Sequence, residues 1–302
     1  MDFMLTILGS GGAQPTQEKY PSAQILQINN RFFLIDAGEG VQIQLLKYGF
    51  SHQKIDHIFI SHLHGDHYLG LMGLLFSMHL ARRQSDLHLY GQAGLDEIIL
   101  LQLKHARSAL SYRICFHPVK EGARHTLFED NEIRIEAFPL NHRIPCSGFL
   151  FAEKIKAHRI IKEKLPEHIL LQHIALLKQG KDVLDEKGVI KYKAAEYTYP
   201  PHHSRSFAYC SDTAYSPQIS SIIRNVDLCY HEATFKTEDL QKATETYHST
   251  AAQAGKIAKE AGVKKLLIGH ISARYKNQAE VLAEAKSEFE NTERAQEGNT
   301  YS

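Results

Sequence analysis

His62-Leu63-His64-Gly65-Asp66-His67 is the stretch of sequence that decides the fold. It places four potential metal-binding side chains within six residues, between the apolar runs Ile55–Ile60 and Tyr68–Leu80. We interpret the first run as a buried strand and the second as a helix, which leaves the polar residues in the connecting loop. Imidazole nitrogens and carboxylate oxygens are good zinc ligands, and a loop can direct two to one ion and two to another. The stretch therefore predicts a metal site at the end of a strand.

The same arrangement recurs along the chain. Five predicted strands end in, or just before, a His or Asp side chain: Ile55–Ile60 before His62, Ile133–Leu140 before His142, Phe207–Cys210 before Asp212, Val226–Tyr230 before His231, and Lys265–Ile268 before His270. Open α/β sheets bind their ligands at the carboxyl ends of their strands. We therefore expect these side chains to share one pocket.

Several motifs together resemble one protein family. The segment His62–Leu75 resembles the signature of the metallo-β-lactamase superfamily, and within it the ribonuclease Z branch of tRNA 3′-processing endonucleases. Further similarities to that branch follow in chain order: Asp36–Gly40, Pro139–His142 with Pro145–Phe149, Tyr209–Thr213, His231–Phe235, His248–Thr250 and Gly269–Tyr275. The resemblance implies an α/β fold, the metallo-β-lactamase-like four-layer αβ/βα sandwich with an inserted arm.

The resemblance also implies a chemistry. Carried over residue by residue, it gives two zinc ions per chain: one bound by His62, His64 and His142, a second by Asp66, His67 and His270, with Asp212 bridging them. Asp66 would accept the proton of the attacking water. His248 is our candidate for the acid that protonates the leaving 3′ oxygen, and Glu232 would orient and charge it. Asp36 is a candidate for fixing the tautomer of a ligand imidazole.

The implied substrate is precursor tRNA, from which the 3′ trailer would be removed to leave a 3′-hydroxyl and a 5′-phosphate. The resemblance implies a homodimer in which the arm of one subunit serves the active site of the other. The segment 154–181 carries seven Lys/Arg against two Asp/Glu and reads as helix-prone, and we place the basic arm at about residues 154–195. Lys and Arg on such an arm would contact phosphates. A solvated helix face is the alternative interpretation.

Two positions depart from the pattern of the ribonuclease Z branch. Met72 stands where the branch usually has Pro. In the loop Pro15–Tyr20 the branch usually has Pro-x-Lys-x-Arg-Asn, whereas this chain has Gln17 and Lys19-Tyr20. In that branch the loop helps to position the 3′ end of the tRNA and its terminal CCA. The departures therefore concern discrimination between tRNA ends and leave the metal ligands intact.

Composition excludes several classes of protein. The chain has 302 residues and a formal net charge of +1, which excludes a globally basic nucleic-acid coat and a strongly acidic disordered protein. We expect a single domain over residues 1–302 with the inserted arm and a frayed C-terminal tail. The four cysteines form no Cys-x-x-Cys pair and are interpreted as free thiols. The N-terminus lacks a basic secretory region, and the apolar stretch Gly70–Phe76 is too short for a bilayer, so we expect a cytoplasmic protein without membrane association.

Two other function classes stay open at this point. One is a small-molecule hydrolase of the same superfamily, such as a phosphodiesterase or a sulfatase-like enzyme. The other is a non-catalytic RNA-binding or scaffold protein that has kept the fold. Turnover of precursor tRNA compared with turnover of bis(p-nitrophenyl) phosphate discriminates among them.

Overall fold

A computed structural model describes residues 2–17 and 19–302. Its strands are β1 Phe3–Gly9, β2 Ala23–Ile28, β3 Arg31–Ile35, β4 Ile55–Phe59, β5 Leu87–Gly91, β6 Ile114–Pro118, β7 His125–Glu129, β8 Ile133–Pro139, β9 Ser147–Glu153, β10 Arg159–Ile160, β11 Val183–Leu184, β12 Ile190–Tyr192, β13 Thr198–Tyr199, β14 Ser206–Cys210, β15 Leu228–Glu232, β16 Lys265–Gly269, β17 Thr292–Arg294 and β18 Thr300–Tyr301. Its helices are α1 Val41–Lys47, α2 Gly65–Tyr68, α3 Leu71–Leu80, α4 Leu95–His105, α5 Leu171–Lys178, α6 Ala194–Tyr197, α7 Gln218–Ile222, α8 Leu240–Thr246, α9 Ala251–Ala261 and α10 Gln278–Glu288.

The chain divides into two compact units. The first contains residues 1–128, 135–151 and 206–302, and the second contains residues 129–134 and 152–205. The inserted segment is therefore longer at its C-terminal end than the predicted arm at 154–195. It also folds as a compact unit of its own.

Two seven-stranded sheets form the centre of the first unit. Their strand orders are β18-β1-β2-β3-β4-β5-β6 and β17-β16-β15-β14-β9-β8-β7. Strands β3 to β6 run parallel, and so do β14 to β17, which brings the carboxyl ends of these strands to one edge of each sheet. The aromatic rings of Phe59 and Phe149 meet between the sheets at a centroid distance of 5.5 Å.

Helices cover the outer face of each sheet. Leu45 of α1, Leu75 of α3 and Ile99 of α4 are buried in one apolar cluster with strands β3 to β5. A second cluster joins Ile257 of α9 and Val281 of α10 to strands β14 to β16. Each fully buried aliphatic or aromatic side chain of these layers contributes about 1.5–3 kcal/mol. The layer order confirms the predicted four-layer αβ/βα sandwich.

Helix α9 shows how local sequence fixes the chain near the predicted acid. Thr250 caps the helix by accepting from Gln253 N, and the Gln253 side chain in turn accepts from Thr250 N at 2.9 Å. Gly262 ends the helix with a φ of 65°, a left-handed conformation that glycine adopts without strain. The reciprocal cap holds the backbone directly after His248.

Two predicted elements differ from the structure. The predicted helix Tyr68–Leu80 is split into α2 and α3. The basic segment 154–181 is mostly not helical, since its α-helix extends only over Leu171–Lys178. Pro166 lacks a backbone N–H, and the neighbouring apolar side chains pack instead on a small core of Leu177, Val183 and Ala194 in the second unit.

The C-terminal tail is ordered, which corrects the prediction that it frays. Thr300 and Tyr301 form β18 and pair with β1, and Tyr301 is only 6% exposed. The Glu297 carboxylate accepts hydrogen bonds from Ser10 N and Tyr20 N at 3.3 and 2.8 Å. The prediction was wrong because it rested on the small number of apolar residues in the tail. Tyr301 and the Glu297 carboxylate are sufficient to bind the tail to the N-terminal part of the chain.

All four cysteines are free thiols, as the sequence indicated. Across the described residues, no helix combines the length and the apolar character needed to cross a bilayer.

Candidate active site

The loops that follow strands of both sheets carry the candidate site. The loop after β4 leads into α2, whose first turn presents Asp66 and His67. Asp212 lies two residues after the end of β14, and His270 directly follows β16. Asp36, after β3, and His270 both have a φ of 56°, which is uncommon for residues other than glycine. Such strained positions cluster at functional sites, where the surroundings hold them in place.

One donor set consists of His62, His64, His142 and Asp212. His64 Nδ1 lies 3.0 Å from His62 Nε2 and 3.1 Å from His142 Nε2. Asp212 Oδ2 lies 3.6 Å from His62 Nε2 and 3.9 Å from His142 Nε2. Burial lowers the pKa of His62 well below its usual value and also lowers the pKa of His64 and of His142. Neutral imidazole is the form that binds a metal.

The second donor set consists of Asp66, His67, His270 and the other oxygen of Asp212. His270 Nε2 lies 3.1 Å from Asp66 Oδ2 and 3.4 Å from Asp212 Oδ1. His67 Nε2 lies 3.4 Å from Asp66 Oδ2 and 3.5 Å from Asp212 Oδ1. The two oxygens of Asp212 therefore face the two donor sets, which is the arrangement of a bridging carboxylate.

Both sets fit a zinc ion. Ligands at about 2.0–2.2 Å in tetrahedral geometry stand roughly 3.3–3.6 Å from one another. Three of the four distances given for the second set lie in that range, and His270 Nε2 and Asp66 Oδ2 are slightly closer at 3.1 Å. His67 Nε2 and Asp212 Oδ1 are buried and make no hydrogen bond with any residue that the structure describes. Burial lowers the pKa of His67, but the carboxylates of Asp212, Asp36 and Asp66 outweigh burial and raise it well above the usual value. This excess of negative charge is what a bound cation would neutralise.

The second ring nitrogen of most ligand histidines is held by the protein. His62 Nδ1 meets Ser61 Oγ at 3.0 Å, and His270 Nδ1 meets Thr234 Oγ1 at 3.0 Å. His142 Nδ1 donates to the carbonyl oxygen of Tyr247 at 2.9 Å. These contacts orient the rings and leave Nε2 of each one for the metal.

Asp36 is the most connected of these supporting residues. Its Oδ2 accepts from His67 Nδ1 at 2.7 Å, from Tyr209 Oη at 2.6 Å and from Ser61 Oγ at 2.9 Å. Its Oδ1 accepts from Ser61 N at 2.8 Å. The imidazole that the sequence could not assign to Asp36 is therefore that of His67.

Glu232 and His248 form a hydrogen-bonded pair beside the donor sets. Glu232 Oε1 accepts from His248 Nδ1 at 2.9 Å and from Thr213 N and Ser249 N at 3.0 Å each. Burial raises the pKa of Glu232, but the charge of His248 outweighs burial and lowers it. Burial lowers the pKa of His248, but the Glu232 carboxylate raises it to about 9. A protonated His248 then directs its second N–H towards the site.

Asp66 is held on one oxygen and open on the other. Its Oδ2 accepts from Ala13 N at 2.9 Å in addition to His270. Burial raises the pKa of Asp66, but His67 and His270 outweigh burial and hold it well below its usual value. Its Oδ1 has no hydrogen-bond partner among the described residues. A cavity of about 370 Å³ opens over this carboxylate and is lined by His64, His248 and His270 as well.

The predicted metal ligands, Glu232 and His248 thus lie within one cluster of the first unit. His231, which the strand pattern also placed in the pocket, is instead buried, donates from Nδ1 to the Glu232 carbonyl oxygen at 2.7 Å and belongs to neither donor set. Sequence reasoning missed the residues that support them: Ser61, Thr234, the Tyr247 carbonyl and the Ala13 amide. Ser61 directly precedes the quoted His62 motif and Thr234 lies within the quoted motif His231–Phe235, which is the one signal that could have found them. A backbone amide or carbonyl leaves no trace in the sequence.

Comparison with known proteins gives consistent likenesses. A family model described as "Anti-Pycsar protein Apyc1" matches residues 3–161. The chain is 48% identical to the ribonuclease Z of Cytophaga hutchinsonii, over 100% of this chain and 96% of that protein. It is 41% identical to the ribonuclease Z of Bacteroides fragilis, over 98% of this chain and 97% of that protein.

Two solved structures share the fold. Human tRNase Z, short form (ELAC1), superposes with a TM-score of 0.73 at 25% identity, over 99% of this chain and 98% of that chain. The metallo-beta-lactamase fold protein YhfI from Bacillus subtilis superposes with a TM-score of 0.70 at 19% identity, over 99% and 98% of the two chains. The second likeness speaks for the fold alone.

Proposed function

The chain belongs to the ribonuclease Z family, and from that premise we propose that it is a zinc-dependent endoribonuclease that removes the 3′ trailer from precursor tRNA. The resemblance seen in the sequence is confirmed by relatives that match along the whole chain. The observation that carries the proposal is the joint presence of two metal donor sets and the Glu232–His248 pair around one cavity. The proposed location of the protein is the cytoplasm, where precursor tRNA and reduced thiols coexist.

The proposed metal content is two zinc ions per chain. His62, His64 and His142 would hold one, Asp66, His67 and His270 the other, and Asp212 would bridge them. When bound, the ions lower the pKa of water and neutralise charge on the attacked phosphate.

The proposed proton acceptor is Asp66. Ala13 N and His270 fix its Oδ2, so that Oδ1 is the oxygen free to accept a proton from the attacking water. As the water oxygen forms its bond to phosphorus, the bond from phosphorus to the 3′ oxygen breaks. Asp66 gains the proton that the water loses, and the phosphate stays on the trailer.

The proposed proton donor is His248. Its Nδ1 is engaged by Glu232, which leaves Nε2–H to protonate the departing 3′ oxygen. A pKa of about 9 keeps the ring charged at neutral pH, before the leaving oxygen requires the proton. The products are a 3′-hydroxyl on the tRNA and a 5′-phosphate on the trailer.

The proposed tRNA-gripping element lies in the second unit, and the proposed assembly is a homodimer. Lys162 and Lys164 are exposed in the basic segment, at positions suited to phosphate contacts. The double variant Lys162→Gln/Lys164→Gln should raise the KM for precursor tRNA and flatten its salt dependence. Bis(p-nitrophenyl) phosphate carries a single phosphodiester and no further phosphates for these lysines to contact, so its turnover serves as the control.

Cleavage of an end-labelled precursor tRNA by metal-quantified protein tests the proposed function directly. We expect a single cut at the 3′ end of the acceptor stem, with a 3′-hydroxyl on the tRNA fragment. Turnover of bis(p-nitrophenyl) phosphate without any cleavage of precursor tRNA would instead identify a small-molecule phosphodiesterase.

A further inference from the structure

A polar groove lies along the C-terminal part of the first unit. It begins beside His270, where Gly12 packs so closely that a Cβ atom would lie 2.9 Å from the His270 carbonyl oxygen. It opens into a cavity of about 660 Å³ and continues into a second of about 300 Å³, and the two share Gln278 and Arg294 in their walls. We call this the C-terminal groove; its polar walls include Gln14, Gln17, Lys276, Gln278, Lys286 and Arg294.

The groove carries positive charge with little compensation. Lys276 and Lys286 make no hydrogen bond or ion pair with any residue that the structure describes. Arg294 Nη1 donates to a neutral amide oxygen, Gln278 Oε1, at 3.0 Å. The one carboxylate in the described walls, that of Glu293, is bound by Lys265 Nζ at 2.8 Å.

The start of helix α10 adds to this potential. The helix has 11 residues and begins at Gln278, which lines the groove. Asn277 Oδ1 accepts from Ala279 N, and the first-turn carboxylate of Glu280 is bound by Lys236 Nζ. A helix N-terminus attracts anions. Together with three uncompensated cations, it favours a chain of phosphates.

The size of the groove decides which kind of nucleic acid it fits. Two cavities of about 660 and 300 Å³ suit a single strand better than a duplex such as the acceptor stem. Glutamine amides beside the cations can donate to and accept from the exposed edges of unpaired bases. In precursor tRNA the strand that follows the scissile phosphate is unpaired.

We propose that the C-terminal groove binds the single-stranded 3′ trailer, with Lys276, Lys286 and Arg294 contacting successive phosphates. The inference rests on the proposed function for the identity of the strand. It assigns these three side chains to substrate binding and to no step of bond cleavage. Trailer length should therefore decide how much they contribute.

The test compares two precursors that share one tRNA body, with a trailer of one nucleotide or of about ten nucleotides, a common length for single-strand sites. The variant Lys276→Gln/Lys286→Gln/Arg294→Gln is compared with wild type and with Lys256→Gln, an exposed lysine of α9 outside the groove. We expect the triple variant to raise the KM of the long-trailer precursor about tenfold or more, and far less that of the short one. Each lost phosphate contact should also reduce the slope of log K against log salt by about 0.7.

Equal losses on both precursors would overturn the inference, because the cations would then serve the tRNA body or the fold. Unchanged KM for the long trailer would overturn it too. Thermal unfolding and zinc content of the triple variant show whether it has folded. If wild type cleaves neither precursor, the proposed function fails. Binding of a single-stranded RNA of about ten nucleotides, measured by fluorescence anisotropy, then still tests the groove. Wild type must bind this RNA more tightly than the triple variant does.

Discussion

Replacing Asp36 by Asn should selectively weaken the second metal site. The side chain is fully buried and accepts four hydrogen bonds, three on Oδ2 and one on Oδ1. An asparagine can present its oxygen to the three donors, from Ser61 Oγ, His67 and Tyr209, only by turning its amide N–H groups towards Ser61 N. A buried donor left facing a donor costs about 1–3 kcal/mol.

The consequence for the metal follows from His67. Its Nδ1–H is held by Asp36, which directs Nε2 towards Asp66 and Asp212. Loss of such a supporting carboxylate lowers metal affinity by about 10–100-fold, or roughly 1.4–2.8 kcal/mol. We expect Asp36→Asn to lower the zinc affinity of the second donor set by that factor. The donor set with His62, His64 and His142 should keep its zinc affinity.

Competition with a chromophoric zinc chelator measures both affinities, and thermal unfolding with and without chelator separates metal loss from unfolding. Tyr209→Phe is the matched control, because it removes one donor to Asp36 and leaves the carboxylate in place. It should change zinc affinity less than Asp36→Asn does. Two unchanged zinc affinities in Asp36→Asn would refute the reasoning, as would an equal loss at both sites.

Three further outcomes are expected. His248→Ala should keep both zinc ions while single-turnover cleavage slows by about 10²–10⁴-fold, and Glu232→Gln should slow it less; loss of metal with unchanged turnover per zinc would make His248 a ligand. Elemental analysis should find two zinc ions per chain, and His64→Ala should lose activity while its circular dichroism stays native; active protein free of metal would contradict the mechanism. In the second unit, burial raises the pKa of Glu153, but Arg205 and Lys156 outweigh burial and lower it to about 2. Its stabilising contribution is therefore present above the unfolded pKa of about 4.3 and is lost as the pH falls towards 2, so Glu153→Gln should flatten the acid limb of thermal stability between those values.

The convergence of the donor residues could be predicted in part from backbone rules, whereas their assignment to two metal sites came from the family resemblance. A ligand at the carboxyl end of a parallel strand is brought to the same edge as its neighbours, whatever lies between them in sequence. His62 and Asp212 are far apart along the chain, yet each follows a strand of the same sandwich and their side chains meet at 3.6 Å. The strand pattern predicted that these two side chains share a pocket, but it also placed His231 there, and His231 belongs to neither donor set.

The supporting contacts could not be predicted, because they join groups without a periodic signal. The hydrogen bond from Tyr209 to Asp36 spans 173 positions, and the quoted Tyr209–Thr213 motif gave no reason to assign it to the tyrosine. The prediction of a helix over the basic segment 154–181 was wrong for a different reason. Its Lys- and Leu-rich composition favours helix in isolation, but tertiary packing around Leu177 and Val183 selects short strands and turns instead.

The structure separates cleavage from recognition, and that separation bears on the departures in the loop Pro15–Tyr20. The proposed metal ligands lie in loops after strand ends, Glu232 is the last residue of β15, and His248 lies between α8 and α9. The groove cations instead lie on a loop after His270, on α10 and on the short strand β17 near the C-terminus. Gln17 and Lys19 line a wall of the groove, whereas Ala13 N, earlier in the chain, donates to the Asp66 carboxylate. Differences in that loop between relatives should therefore change which trailers are accepted while the rate of bond cleavage on a bound substrate stays the same.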